Sequence, residues 1–315
     1  MNLLEALRYL AALDQHRHFG RAAAACRITQ PALSNAIRAL ETELGVPVVR
    51  RSRQYEGLTS EGEVVLAHAH RLLREAEAMR QELYSREDSP RGRLQIGAVP
   101  TAMTIATRFA LRVRERYGGL APVVRSLSSQ EIEAGIENLS LDMGLGYTGR
   151  SEVGVRALQV WPQYAEAYYV VQRSAEPHGA LRVGAPLGWR EAAALPLTLL
   201  TPDMHNRAIV DQAFREAGVD VNAALETNSV LALVTALGAS DIAAVLPGAL
   251  VRSVQTVAGL LARPLVEPTV RTPIGFMTSK AERATPVLRA ALATAQEAVW
   301  LQEAAAHSGS LDDTR

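Results

Sequence analysis

Residues 29–62 read TQPALSNAIRALETELGVPVVRRSRQYEGLTSEG, and this stretch decides the fold of the N-terminal third of the chain. Thr29 followed by Pro31 is a helix start, because a threonine oxygen can cap free backbone N–H groups and proline fits the first turn. Leu33, Ile37, Leu40 and Leu44 recur at helical spacing, so they form one apolar stripe, and Gly45 closes the helix. The opposite face is then set: Gln30, Ser34 and Arg38, flanked by Pro31 and Asn35. Short hydrogen-bonding side chains plus an arginine suit insertion into a DNA major groove, where Gln can read adenine and Arg guanine or phosphate. The same face on an isolated helix would read as ordinary solvated surface.

The flanks favour the groove. Upstream, Leu3, Leu4, Leu7, Leu10 and Leu13 predict an amphipathic helix ending near His16 to His18. The run FGRAAAAC at 19–26 predicts a short second helix whose alanines allow close crossing of the next one. Downstream, VPVVRRSRQYEGLT predicts a β-hairpin with Arg50, Arg51 and Arg53 at its base or tip. Such a wing lies along phosphates and adds salt-dependent affinity with little sequence information. Residues 17–53 hold seven arginines against two glutamates, a net charge of +5, although the whole chain is neutral. Lys280 is the only lysine among 33 basic residues, so nearly every cation is a guanidinium able to make bidentate contacts.

These residues resemble the DNA-binding domain of LysR-type transcriptional regulators, with its S-Q-P-A-L-S, I-x-x-L-E, L-G-x-x-L-F-x-R and L-T-x-x-G runs at matching spacing. The chain departs from that pattern at Asn35 and Ala36, where Arg-Gln is commoner, and at Val48 and Val49, where Leu-Phe is commoner. The resemblance implies DNA contacts from Thr29, Gln30, Pro31, Ser34, Asn35, Arg38, Arg50, Arg51 and Arg53. It also implies an N-terminal all-α winged helix-turn-helix, a long linker helix, and a C-terminal α/β effector domain of two subdomains, like type 2 periplasmic binding proteins.

From Thr59 the sequence TSEGEVVLAHAHRLLREAEAMRQELYSRED predicts a long helix opened by a capping box of Ser60 and Glu63. Val65, Ala69, Leu72, Ala76, Met79 and Leu83 alternate at heptad spacing. This predicts a coiled-coil seam with a second copy, against the alternative of a helix packed on its own domain. A dimer would carry two recognition helices to an approximately palindromic operator. Family members are often tetramers. His68 and His70, two apart, lie on different faces and are not a metal pair.

SPRGR at 89–93 reads as a hinge. Beyond it, short apolar strands at 94–99, 121–127, 142–147, 167–173, 195–200, 242–247 and 274–279 alternate with helical periods, which predicts a largely parallel α/β sheet. The expected domains are 1–59 (winged helix-turn-helix), 60–88 (linker), 89–93 (hinge), 94–304 (effector domain) and 305–315 (disordered tail). The resemblance implies subdomain I at 94–163 and 268–304 and subdomain II at 164–267, with a ligand in the cleft between them.

Polar residues at the predicted strand-to-helix junctions are the candidate ligand contacts: Thr101, Met103 and Thr104 in PTAMT, Ser128, Ser129 and Gln130 in SSQE, Thr201 and His205 in TPDMHNR, and Thr227 in ETNS. Hydroxyls at helix N-termini favour a small carboxylate or similar anion. Each Ser or Thr taken alone reads as a plain N-cap before a ligand contact, and His205 as a surface histidine; it is the convergence of several such caps on one cleft that favours a ligand.

Catalysis is not expected. Ser128 and Ser129 lack a G-x-S-x-G setting, no Walker glycine run occurs, and G-L-G at 144–146 lacks the third glycine of a dinucleotide fingerprint. The one cysteine, Cys26, cannot form an internal disulfide and lies outside the effector domain, so thiol-based peroxide sensing is not expected. No cofactor or metal is expected. With no secretory leader and no long apolar run, the expected location is the cytoplasm, without membrane contact. The functional expectation is a regulator binding double-stranded DNA in response to a small effector. Its alternatives are a constitutive repressor without effector and a small-molecule binding protein.

Overall fold

The computed structural model describes residues 2–51, 55–84, 89–150, 158–174, 179–239, 241–280 and 284–308. The chain divides into two compact units, Met1–Asp88 with Glu137–Ser140, and Ser89–Ile136 with Leu141–Arg315.

In the N-terminal unit, α1 (Leu3–His16) is capped by Asn2 and buries Ala6, Leu7, Leu10 and Leu13. Leu3 and Leu4, expected in the same stripe, are exposed. They lie in the first turn of α1, at the end of the helix where the packed face begins. Helix α2 (Phe19–Ala25) starts on the His18 ring, whose Nδ1 accepts from the N–H groups of Gly20 and Arg21. Helix α3 (Gln30–Leu44) is capped by Thr29, closed by Gly45 at φ 72°, and buries Leu33, Ile37 and Leu40. Leu44 is exposed at the last turn. Strands β1 (Val49–Arg51) and β2 (Tyr55–Leu58) pair antiparallel as the wing. Val48 and Val49 are both buried, so the smaller residues still fill their core positions.

Helix α4 (Ser60–Tyr84) is capped by Thr59, one residue before the expected Ser60. The Thr59 hydroxyl accepts from the Gly62 N–H at 2.9 Å while donating to the Pro47 carbonyl at 2.7 Å. The Ser60 hydroxyl instead donates to Glu61, so no capping box with Glu63 forms at Ser60. The heptad series divides in two. Val65 and Ala69 pack into the unit's own core, whereas Leu72, Met79 and Leu83 are 48%, 56% and 70% exposed.

The C-terminal unit contains two sheets. The first has strand order β4-β3-β5-β14-β6, from β3 (Gly92–Ala98), β4 (Leu120–Ser126), β5 (Met143–Tyr147), β6 (Leu158–Glu166) and β14 (Thr272–Ser279). Helix α5 (Met103–Arg116) and two terminal helices, Pro286–Ala295 and Ala298–Ser308, complete a core centred on Phe109, Phe276 and Trp300. Helix α6 (Ser129–Glu137) packs close to Gly144, where a Cβ would come within 2.2 Å of Ile132. The G-L-G run is therefore a packing feature. The second sheet has order β11-β10-β12-β7-β13-β8, where β8 is Arg182–Val183, with β9 (Leu187–Gly188) also on β13. It is built on β7 (Tyr168–Arg173), β10 (Leu197–Leu200), β11 (Ala223–Thr227), β12 (Ala243–Pro247) and β13 (Leu260–Val266). One of its faces packs around Trp189 and Phe214.

Four sequence expectations need correction here. Both sheets are mixed, because β14 runs antiparallel to β5 and β6, and β7 antiparallel to β12 and β13. These are the strands by which the chain passes between sheets, and their direction is set by that passage. The chain leaves the first sheet after Glu166, three residues later than expected, since β6 pairs with β14 from Leu158 to Glu166. Gly92 and Arg93, taken as hinge, are paired in β3 with Leu120 and Ala121. Residues 305–308, taken as disordered, belong to the last helix, anchored by buried Ala304.

Among the described residues, no helix is long and apolar enough to cross a membrane. Nor does any group of three or more potential ligands form a metal site there.

Candidate functional site: the recognition helix and the cleft pocket

Helix α3 turns one face to solvent. Gln30, Pro31, Asn35 and Arg38 are exposed and Ser34 is half-buried. Gln30 Nε2 donates to Ser34 Oγ at 3.0 Å, so the two form one polar surface. Arg38 makes no ion pair among the described residues, and its carbonyl accepts from Thr42. The Thr29 hydroxyl accepts from the Ala32 N–H and is occupied as the cap.

Two residues that sequence reasoning passed over hold this face against the wing. The Glu41 carboxylate accepts from the N–H groups of Val48 and Val49 at 3.0 and 3.2 Å. Gly62 lies against Val48, whose carbonyl also accepts from Thr59. The motif letters I-x-x-L-E and L-T-x-x-G carry these roles, as a brace and a close approach. On the wing, Arg50 Nε donates to the Leu58 carbonyl at 2.7 Å, which lays its exposed side chain across the hairpin. Arg51 ends β1. Arg53 lies outside the described residues.

In the C-terminal unit, a pocket opens where the strand ends of the two sheets meet. Its lining includes Thr101, Ser128, Ser129, Tyr147, His205 and Asn206, with Leu200 and Met204. Three helical N-termini converge there: the 3-10 turn Pro100–Ala102 leading into α5, α6, and the helix His205–Glu216. Neither the turn nor the last helix has a side-chain cap, and the Ala102 and Arg207 N–H groups donate to the backbone carbonyls of Val99 and Met204. Thr101 Oγ1 and the Tyr147 hydroxyl share a hydrogen bond of 2.8 Å, and Asn206 Nδ2 donates to the same phenol at 3.3 Å. Burial pushes the Tyr147 phenol far above its ordinary range, so it stays neutral. The His205 ring stands edge-on against it, with centroids 4.8 Å apart.

Thr101, Ser128, Ser129 and His205 are brought together as expected candidates. Met103, Thr104, Gln130, Thr201 and Thr227 are not in the lining. Ser128 forms a capping box with Glu131, each accepting from the other's N–H, and Thr227 accepts from the Ser229 N–H. The Ser128 hydroxyl caps α6, whereas Thr227 closes a turn ahead of Ser229, whose own hydroxyl accepts from the Ala232 N–H at the start of the helix Val230–Ala239. Ser129 Oγ, by contrast, is buried without a protein partner, as are the hydroxyls of Thr104 and Thr201. Tyr147 and Asn206 are lining residues that sequence reasoning missed. The first ends a predicted strand, and the second adjoins His205 in the same junction. The free volume is about 20 Å³, room for about one ordered water. An occupant of several heavy atoms therefore requires the pocket to widen.

Comparison with known proteins agrees with this architecture. Residues 87–300 match the LysR substrate binding domain, and residues 4–63 match the bacterial regulatory helix-turn-helix protein, lysR family. A probable hydrogen peroxide-inducible genes activator of Streptomyces viridosporus is 32% identical over 251 residues, covering 78% of this chain and 75% of the relative. An SDS degradation transcriptional activation protein of a Pseudomonas species is 40% identical over 125 residues, 40% of either chain. Among solved structures, a cysteine-to-aspartate variant of full-length OxyR from Pseudomonas aeruginosa superposes with a TM-score of 0.67 at 23% identity, covering 93% of this chain and 96% of that one. With both halves matched in order along one polypeptide, the chain belongs to the LysR family and is a LysR-type transcriptional regulator.

Proposed function

We propose that this regulator reads an approximately palindromic operator with α3 and the wing of two subunits, and that a small anion, such as a carboxylate, bound in the cleft pocket alters that binding. The observation that carries the effector half is the Ser129 hydroxyl, buried without a partner at a helix N-terminus beside the Thr101–Tyr147–Asn206 cluster. Hydroxyl donors beside converging helix N-termini favour an anion without a guanidinium or ammonium in the lining. Thiol-based peroxide sensing has no support in the C-terminal unit, whatever the relatives' names. The only cysteine, Cys26, lies between α2 and α3, and burial raises its thiol pKa.

The test is an anisotropy titration of the purified protein against DNA from its own upstream region, with salt varied and small carboxylates added. Specific, salt-sensitive binding altered by one compound is expected. Specific binding indifferent to every compound would leave a constitutive repressor, and no binding beyond random DNA would leave a small-molecule binding protein.

Two substitutions separate the parts. Leu72→Asp places a charge on the exposed half of the α4 seam, so light scattering should report a lower mass, and an unchanged mass would count against the coiled coil. Thr101→Val with Ser129→Ala removes two hydroxyl donors, and calorimetry should show affinity for the active carboxylate falling about 10- to 100-fold. Unaltered affinity would move the site elsewhere.

A further inference from the structure

Behind the pocket, at the passage between the two sheets, lies a carboxylic acid that neither DNA binding nor the pocket lining uses. Glu166 is the last residue of β6, and only Ala167 separates it from β7 of the other sheet. Its register partner is Thr272, the first residue of β14, which follows the returning passage. Both connections between the sheets therefore run beside this side chain, which is fully buried. The groups facing it are phenols: Tyr164 from its own strand, Tyr147 from β5 and Tyr168 from β7. No arginine, lysine or histidine acts on it among the described residues. Both carboxyl oxygens and the Tyr164 hydroxyl lack a well-formed hydrogen bond. Tyr168 is held by the Thr272 hydroxyl at 3.2 Å, and Tyr147 carries the Thr101 and Asn206 bonds of the pocket.

The geometry points to Glu166 as a proton-operated latch of the cleft: neutral while the two sheets are closed, ionised and hydrated when they part to admit an effector. A lone carboxylate without a cation, faced only by phenols of which Tyr164 favours the charged form more weakly than burial opposes it, cannot remain charged in such a site. Burial pushes this carboxyl up to about 8, whereas a hydrated glutamate titrates near about 4.3. The closed form thus holds a proton that the open form releases. Between those two values each unit of rising pH favours opening about tenfold, and above the higher one the effect levels off. The small free volume makes opening a requirement for larger ligands, so the latch sets how readily the pocket is reached. That last consequence rests on the proposed effector reading, while the latch itself does not.

Hydrogen exchange of the unliganded full-length protein at pH 6, 7 and 8, corrected for intrinsic exchange, tests the latch directly. Peptides spanning 164–172 and 262–274 should gain opening about tenfold from pH 6 to 7 and about fivefold from pH 7 to 8 in the wild type. In Glu166→Gln, and in Glu166→Met of similar volume, the same peptides should show no pH dependence. A wild-type profile that is flat, or one that both variants reproduce, overturns the latch without touching the effector reading, which the calorimetric test above decides separately.

Discussion

Gly62→Ala is expected to lower the melting temperature of the N-terminal unit by roughly 10–20 °C and to abolish operator binding at physiological temperature. In an exposed helix this change normally stabilises by about 1 kcal/mol, because alanine has the higher helix propensity. Here the added Cβ would stand 2.0 Å from the Val48 carbonyl oxygen and 2.8 Å from its carbon. The obstacle is backbone, and that backbone is held from three sides. The Val48 N–H donates to Glu41, its carbonyl accepts from Thr59, and its side chain is fully buried. Relief would require α4 to move off the wing and break the Thr59 cap. Overpacking of this kind costs about 2–3 kcal/mol, and each kcal/mol shifts the midpoint of a domain this size by roughly 4–8 °C. Gly45→Ala supplies the contrast. Its φ of 72° strains an L-residue, but nothing lies within 4 Å of the new methyl, so about 1 kcal/mol is expected. Thermal unfolding followed by circular dichroism ranks the two, and equal, small losses would sink the close-approach argument.

What could be read from the sequence follows from how local its cause is. The helices of the N-terminal unit have their signals in adjacent residues: Thr29 and Gly45 cap α3, and the Leu33, Ile37 and Leu40 period sets its buried face. The cap of α4 slipped by one residue because Thr59 and Ser60 are chemically alike, and only the Pro47 carbonyl, supplied by the approach to the wing, selects Thr59. Strands β6 and β13 went unread because prolines interrupt them. Pro162 is tolerated because β6 is the edge of its sheet, opposite Gly275 at a register shift, and Pro264 sits near the end of β13 opposite Tyr169. The pocket was legible only in part. Hydroxyls at helix starts can be found in any sequence, but whether one caps its helix, as Ser128 does, or stays free, as Ser129 does, depends on a neighbouring side chain such as Glu131. Tyr147 ends a strand and Asn206 opens a helix 59 residues later, and no local pattern encodes that meeting.

The second large effect is expected at Arg38. Arg38→Ala should weaken binding to the specific operator by about 10- to 100-fold, the range for loss of a guanidinium that contacts a base edge, while leaving the melting temperature unchanged. Stability should be untouched because the side chain is exposed and makes no ion pair among the described residues. The buried stripe of Leu33, Ile37 and Leu40 lies on the other side of α3. Salt separates two roles for the same residue. If Arg38 reads a base, specific affinity falls while affinity for random DNA changes little, so the discrimination ratio collapses. If it binds phosphate, both affinities fall together and the slope of log affinity against log salt drops by about one. The Gln30–Ser34 pair one turn closer to the helix start favours base reading for this face, because a preset amide can present its donor and acceptor to adenine. Ser34→Ala should then add a smaller loss in specific affinity, and the combined loss with Arg38→Ala should differ from the sum of the separate losses, as for neighbours sharing one surface. Wild-type operator affinity in both variants would remove α3 from the groove and leave the wing, with Arg50, Arg51 and Arg53, as the principal DNA contact.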